Sequence, residues 1–153
     1  MALLALLLTL HILGVVIWVG GMFFAYVCLR PALADLLEPP ERLRVWRGVF
    51  ARFFAWVWWA VVLIAGSGAI MLAQHGFARA PLNWHLMMGS GLVMIGIFIF
   101  VAKLLYPALD RAVDAEDWKA AGLVLARIRQ MVGVNLILGL LTVAVATLGN
   151  FIF

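Results

Sequence analysis

The chain has 153 residues, 67% of them apolar and only 12% charged, a balance that no soluble domain of this size tolerates. Its formal charge of +4 is sorted by loop and not spread along one face, so a nucleic-acid partner is excluded. Cys28 is alone, which leaves neither an intramolecular disulfide nor a cysteine-built zinc or iron–sulfur centre.

Four runs, about 2–29, 49–73, 82–106 and 131–152, are long enough to cross roughly 30 Å of hydrocarbon. The expected fold is therefore all-α: a single transmembrane domain over 1–153, a four-helix bundle embedded in a lipid bilayer. The first run has no basic residue before its apolar core and outlasts a signal-peptide h-region, so it reads as a retained helix. His11 lies well inside this run, with Gly14, Trp18, Gly20 and Gly21 after it. A titratable ring at that depth is costly and points to a functional site.

Pro31 is expected to end the first helix, and Pro39-Pro40 punctuate the loop that follows. Arg30, Arg42, Arg44, Arg47 and Arg52 surround that loop, and Lys103, Arg111, Lys119, Arg127 and Arg129 surround the loop between helices three and four. Only Arg79 stands between helices two and three. The positive-inside rule then places both basic loops in the cytoplasm and both termini outside. Arg52 and Lys103 are expected to snorkel to the inner headgroups. Trp56, Trp58 and Trp59 read as lipid-facing belt residues in preference to a ring platform for a cofactor.

Helix two fades at Gly66-Ser67-Gly68, and His75 closes it. His75 is either a loop histidine in water or a third ligand or proton relay. His85 opens helix three, followed by Met87, Met88, Gly89 and Gly91. Met71 with His75 and His85 with Met88 share helix faces, and His with thioether is a donor set that suits Cu(I), although methionines at helical spacing are more often core. The segment 110–129 is expected to be a polar surface helix with Val113, Trp118, Leu123 and Leu125 as its apolar side. Asn135, inside helix four, suits an interhelical hydrogen bond.

Leu29-Arg30-Pro31-Ala32-Leu33 and Leu105-Tyr106-Pro107-Ala108-Leu109 match, and each is followed by an outward helix with a small-residue ending. The chain thus reads as two helical hairpins in parallel repeat. His11 lies 20 residues before Pro31 and His85 lies 22 before Pro107, so the two imidazoles should differ in height by only about 3 Å. If they face each other, two neutral rings can hold one metal from opposite sides, with Gly14, Gly21 and Gly89 leaving room for a flat macrocycle.

The run Leu10-His11-Ile12-Leu13-Gly14 through Trp18-Val19-Gly20-Gly21, with Arg30-Pro31-Ala32-Leu33, resembles the CopD-like family of small bacterial inner-membrane proteins. So does Arg127-Ile128-Arg129 through Asn135-Leu136 and Leu138-Gly139-Leu140-Leu141. The family name implies copper handling. The first-helix pattern is also similar to HemJ, a four-helix haem-containing oxidase, whose helix-one and helix-three histidines match His11 and His85; the lysine expected two residues later is replaced by Met87.

The leading expectation is a haem b protein of the bacterial inner membrane, with His11 and His85 as axial ligands and Gly14, Trp18, Gly21 and Gly89 around the cofactor. Its activity would be electron transfer or one-electron oxidoreduction near the periplasmic face, where both termini lie, with a quinone or another redox partner and self-association into a homo-oligomer. The alternative is a copper-binding or copper-transport protein using His11 and His85 with Met87, Met88, Met71 and His75. A third reading treats the histidines as hydrogen-bonding glue. No paired carboxylate or hydrolase motif is present.

Overall fold

The computed structural model describes residues 1–152, with side chains through Gly149. Four long helices run through it: α1 (Ala2–Leu36), α2 (Pro39–His75), α3 (Leu82–Asp114) and α4 (Trp118–Ile152). A single turn of 3-10 helix over Phe77–Arg79 lies between α2 and α3, and no strand occurs among the described residues. Each helix carries a stretch long and apolar enough to cross a membrane.

The helices outrun the apolar stretches because the prolines do not stop them. In α1 a π-helical segment, Phe24–Leu29, comes immediately before Arg30-Pro31, and in α3 the segment Val101–Leu105 comes immediately before Tyr106-Pro107. A widened turn gives the pyrrolidine ring the room it would otherwise take from the preceding carbonyl. The chain therefore continues helically to Leu36 and to Asp114, where an end at the proline was expected. Pro39 and Pro40 likewise begin a helix, at the position where their fixed φ is favourable.

The expected surface helix over 110–129 is instead divided. Its first part finishes α3, a turn with Glu116 at φ 53° follows, and its second part opens α4. Asp117 caps α4 by accepting the Ala120 N–H at 2.9 Å. Val113 and Leu125 are buried as the apolar pattern requires, whereas Leu123 is exposed and Trp118 is half-buried with Arg44 5.0 Å from its ring.

These extensions explain where the core lies. Leu43, Trp46 and Phe50 of α2, Leu105, Leu109 and Val113 of α3, and Ala121, Leu125 and Ile128 of α4 are all buried, each set at spacings of three or four. The basic end is thus packed like a small soluble bundle. Toward mid-membrane the core continues through aromatic rings: Phe54 stacks on Phe50 at 5.3 Å and meets Phe98 at 5.7 Å and Tyr106 at 5.6 Å. Trp18 of α1 meets Phe98 of α3 edge-on at 5.9 Å. Trp56 and Trp59 are 61% and 66% exposed, facing lipid as expected, while Trp58 packs on Phe98 and lies 5.5 Å beneath Lys103 Nζ.

Away from the basic end the helices pair chiefly within hairpins. Ala2–Val15 of α1 packs on α2, and Leu82–Phe100 of α3 packs on α4. Gly14 permits the first contact, since a Cβ there would come 2.8 Å from Ile64 and 3.0 Å from the Ala60 carbonyl. Asn135 Nδ2 donates to the Met94 carbonyl at 3.1 Å, the expected interhelical bond.

Arg47 joins the hairpins at the basic end, where it pairs with Asp110 and, at 2.7 Å, with Asp114; Arg44 pairs with Glu116 at 3.2 Å. All are partly or largely exposed, so water and salt screen them. Arg47→Ala should lower the Tm of the detergent-solubilised protein slightly, and less at high salt. A large, salt-independent loss would show instead that this arginine packs with its stem.

Candidate functional site

The polar side chains of the histidine-bearing half come from all four helices, with Thr142 of α4 bonding Ser90 of α3 at 2.8 Å. Among them, His11 is the best placed. Its Nδ1 lies 3.0 Å from Ser67 Oγ on α2, and its Cε1 lies 3.4 Å from where a Gly68 Cβ would be. Ser67 is buried, and its hydroxyl donates back to the Leu63 carbonyl one turn earlier.

That back-bond favours one tautomer. A serine hydroxyl has one proton, and with that proton on the Leu63 carbonyl Ser67 Oγ is left to accept from His11 Nδ1–H. Nε2 of His11 is then the unprotonated nitrogen, with its lone pair available. This is how a neutral histidine is prepared to bind a metal through Nε2 while its other nitrogen is held in place.

Ser67 is the residue that sequence reading missed, since Gly66-Ser67-Gly68 looked like a helix ending. A hydroxyl flanked by two glycines inside an apolar run was the available signal. Gly68 faces the His11 ring and Gly66 does not, and only the pairing of α1 with α2 shows the bond.

His85 has different neighbours. Its Nδ1 bonds the Pro81 carbonyl at 3.2 Å and its ring meets the edge of Phe77 at 4.8 Å. His75 is exposed and 5.1 Å from the Trp84 ring, so both outer histidines pack the α2–α3 connection. No hydrogen bond or ring contact joins His11 to His85 among the described residues.

The π segments give the repeat its register and explain why. Pro31 and Pro107 are 76 apart, and the same offset carries Trp18 onto Met94, Met22 onto Phe98 and Ala25 onto Val101, all buried. By that offset the equivalent of His11 is Met87, not His85. Two residues of α-helix turn a side chain by about 200°, so His85 projects from nearly the opposite side of α3. Counting residues keeps the two imidazoles close in height, while the 76-residue offset does not pair them across the repeat.

The other expected pocket residues divide. Gly14 and Gly21 are spent on helix contacts, the latter against Phe53, and Trp18 is core. Gly89 has open space around its Cβ position, as do Gly66 and Gly91. Met87 is half-buried and Met88 exposed. Met71 lies one turn beyond Ser67 on the same face of α2, next along from the nitrogen-bearing site. No three His, Cys, Asp or Glu side chains converge among the described residues, so a metal held here would use thioether sulfur beside the imidazole.

This arrangement defines a four-span helical membrane protein with a half-buried imidazole on α1 hydrogen-bonded to a serine of α2. The CopD family model, described as copper resistance protein D, matches residues 47–148, which is more than half of the chain. The chain belongs to that family. The match takes in Ser67, Met71, His75, His85, Met87 and Met88, while His11 precedes it. The likeness to HemJ drawn from the first helix is not shown by it. No curated protein and no solved structure matches the chain.

Proposed function

We propose that this protein binds a copper ion in the histidine-bearing half of the membrane, with His11 Nε2 as the anchoring ligand and thioethers of Met71 and Met87 as its partners. The observation that carries this reading is the contact of His11 Nδ1 with Ser67 Oγ, which occupies one nitrogen of an imidazole inside an apolar helix and supports the other as a ligand. Family membership supports copper over haem, and imidazole with thioether is a soft set suited to Cu(I). The metal is cargo in this reading. Binding is favoured over permeation because the rings of Trp18, Phe54 and Phe98 fill the middle of the bundle. In this reading the protein lies in a bacterial inner membrane with its basic loops in the cytoplasm and both termini on the periplasmic side, an orientation that the positive-inside rule supports, so the site opens toward copper arriving from outside.

The test is Cu(I) titration of the detergent-purified protein against a chromophoric chelator, with a visible spectrum of the same sample. Ser67→Ala should weaken Cu(I) binding by about 10- to 100-fold, since it frees the ring that the hydroxyl orients. His75→Ala should leave it nearly unchanged. A Soret band with α and β bands in the reduced protein, lost in His11→Ala and His85→Ala alike, would overturn the copper reading in favour of bis-histidine haem b.

A further inference from the structure

The basic end carries a feature that the copper site does not use. Arg30 closes the apolar part of α1, Arg42 lies in the first turns of α2, and Arg129 precedes the apolar part of α4. All three are half-buried and line one cleft of about 460 Å³ with Tyr26 and Trp46. An adjoining cleft of about 420 Å³ shares Arg30, Arg129 and Tyr26 and adds Arg127.

Their charges are not neutralised. The basic end does form ion pairs, but those employ Arg44 and Arg47, and none of Arg30, Arg42 and Arg129 makes an ion pair among the described residues. Arg30 lies 5.2 Å from the Tyr26 ring, and the charges of Arg30 and Arg42 both act on Arg129. Asp35 is the one acid on the wall, exposed and unpaired. Three guanidinium groups brought together from three helices repel one another, and this is unfavourable unless an anion lies among them.

We infer that this cleft holds the phosphate of an anionic phospholipid, gripped by Arg30, Arg42 and Arg129 where the apolar stretches meet the basic end. Guanidinium forks match phosphate oxygens in pairs, which a scattered set of lysines would not do. The position suits a lipid, since acyl chains leaving the cleft run along the apolar surface of α1 and α4, and basic pockets between helices at this level suit anionic headgroups. Tyr26 lies against Gly133 of α4, where a Cβ would come 3.2 Å from its hydroxyl, so the cleft floor is firm.

The experiment is thermal unfolding of the full chain in phosphatidylcholine vesicles with and without phosphatidylglycerol, and separately in neutral detergent with inorganic phosphate. Phosphatidylglycerol should raise the wild-type Tm by about 4 °C or more, and this shift should vanish in Arg42→Gln/Arg129→Gln and persist in Lys119→Gln, a surface charge outside the cleft. Without anionic lipid the double variant should be at least as stable as wild type, because it removes repulsion. That result also shows that it folds. An equal lipid shift in the double variant, or none in wild type, overturns the proposal. Protection by inorganic phosphate that phosphatidylglycerol does not exceed assigns the cleft to a soluble phosphate and overturns the lipid.

Discussion

His11→Ala should lower the Cu(I) affinity of the purified protein by more than about 100-fold, beyond the range expected for loss of an outer partner such as Ser67. The reason is the division of labour within one ring: Nδ1 is held by Ser67 and Nε2 is left to bind. Alanine removes the donor and also leaves Ser67 Oγ, already buried, without its neighbour from α1. His11→Gln separates the two effects, since an amide can still bond Ser67 but is a poor ligand for a soft ion. Its binding should be as weak as that of His11→Ala while its Tm stays near wild type. Retention of full Cu(I) affinity in both variants would remove His11 from the site. His85→Ala should cost little, because that ring is engaged with Pro81 and Phe77 on another side of α3.

Phe54→Ala should destabilise the folded bundle by about 3–5 kcal/mol, the range for deleting a closely packed aromatic ring. Phe54 is buried and touches four rings, Phe50, Phe53, Phe98 and Tyr106, so it joins the first hairpin to the second at mid-core. The contacts are packing contacts, worth most where neighbours cannot close the void. Trp56→Ala, two residues on and facing lipid, should change stability by no more than about 0.5 kcal/mol in the same unfolding assay. Comparable losses in both would mean that the aromatic ladder does not hold the hairpins together.

The difference between Phe54 and Trp56 is also a measure of what could be read from the chain. Both lie in the same apolar run, and composition cannot say which faces a partner helix and which faces lipid, because hydrocarbon is as apolar as a protein core. The periodic burial of Leu43, Trp46, Phe50, Phe54 and Val57 belongs to an interface that begins outside the membrane, in a segment expected to be loop. Arg47 is similar: positive-inside logic counts it as one of five loop arginines, yet it pairs with Asp110 and Asp114 from the far side of the chain.

At the candidate site, His11 was legible because a titratable ring inside an apolar run is conspicuous in any reading. Its partner was not. Counting back from two prolines brings His11 and His85 to similar heights along the axis. Around the axis, two residues turn a side chain by about 200°, and the 76-residue offset pairs His11 with Met87.

Span number and membrane class followed from the sequence alone, because transfer into hydrocarbon is nearly additive over a local run of side chains and needs no knowledge of neighbours. So did the paired hairpins, from a repeated Pro-Ala-Leu element. Helix continuation past Pro31 and Pro107, the rotation of each helix, the Ser67–His11 bond and the unpaired arginine cleft were settled only in the tertiary structure. Each depends on residues far apart in the chain meeting at a distance of a few ångströms, or on a backbone turn widening to admit a ring. No local sum of preferences contains those distances.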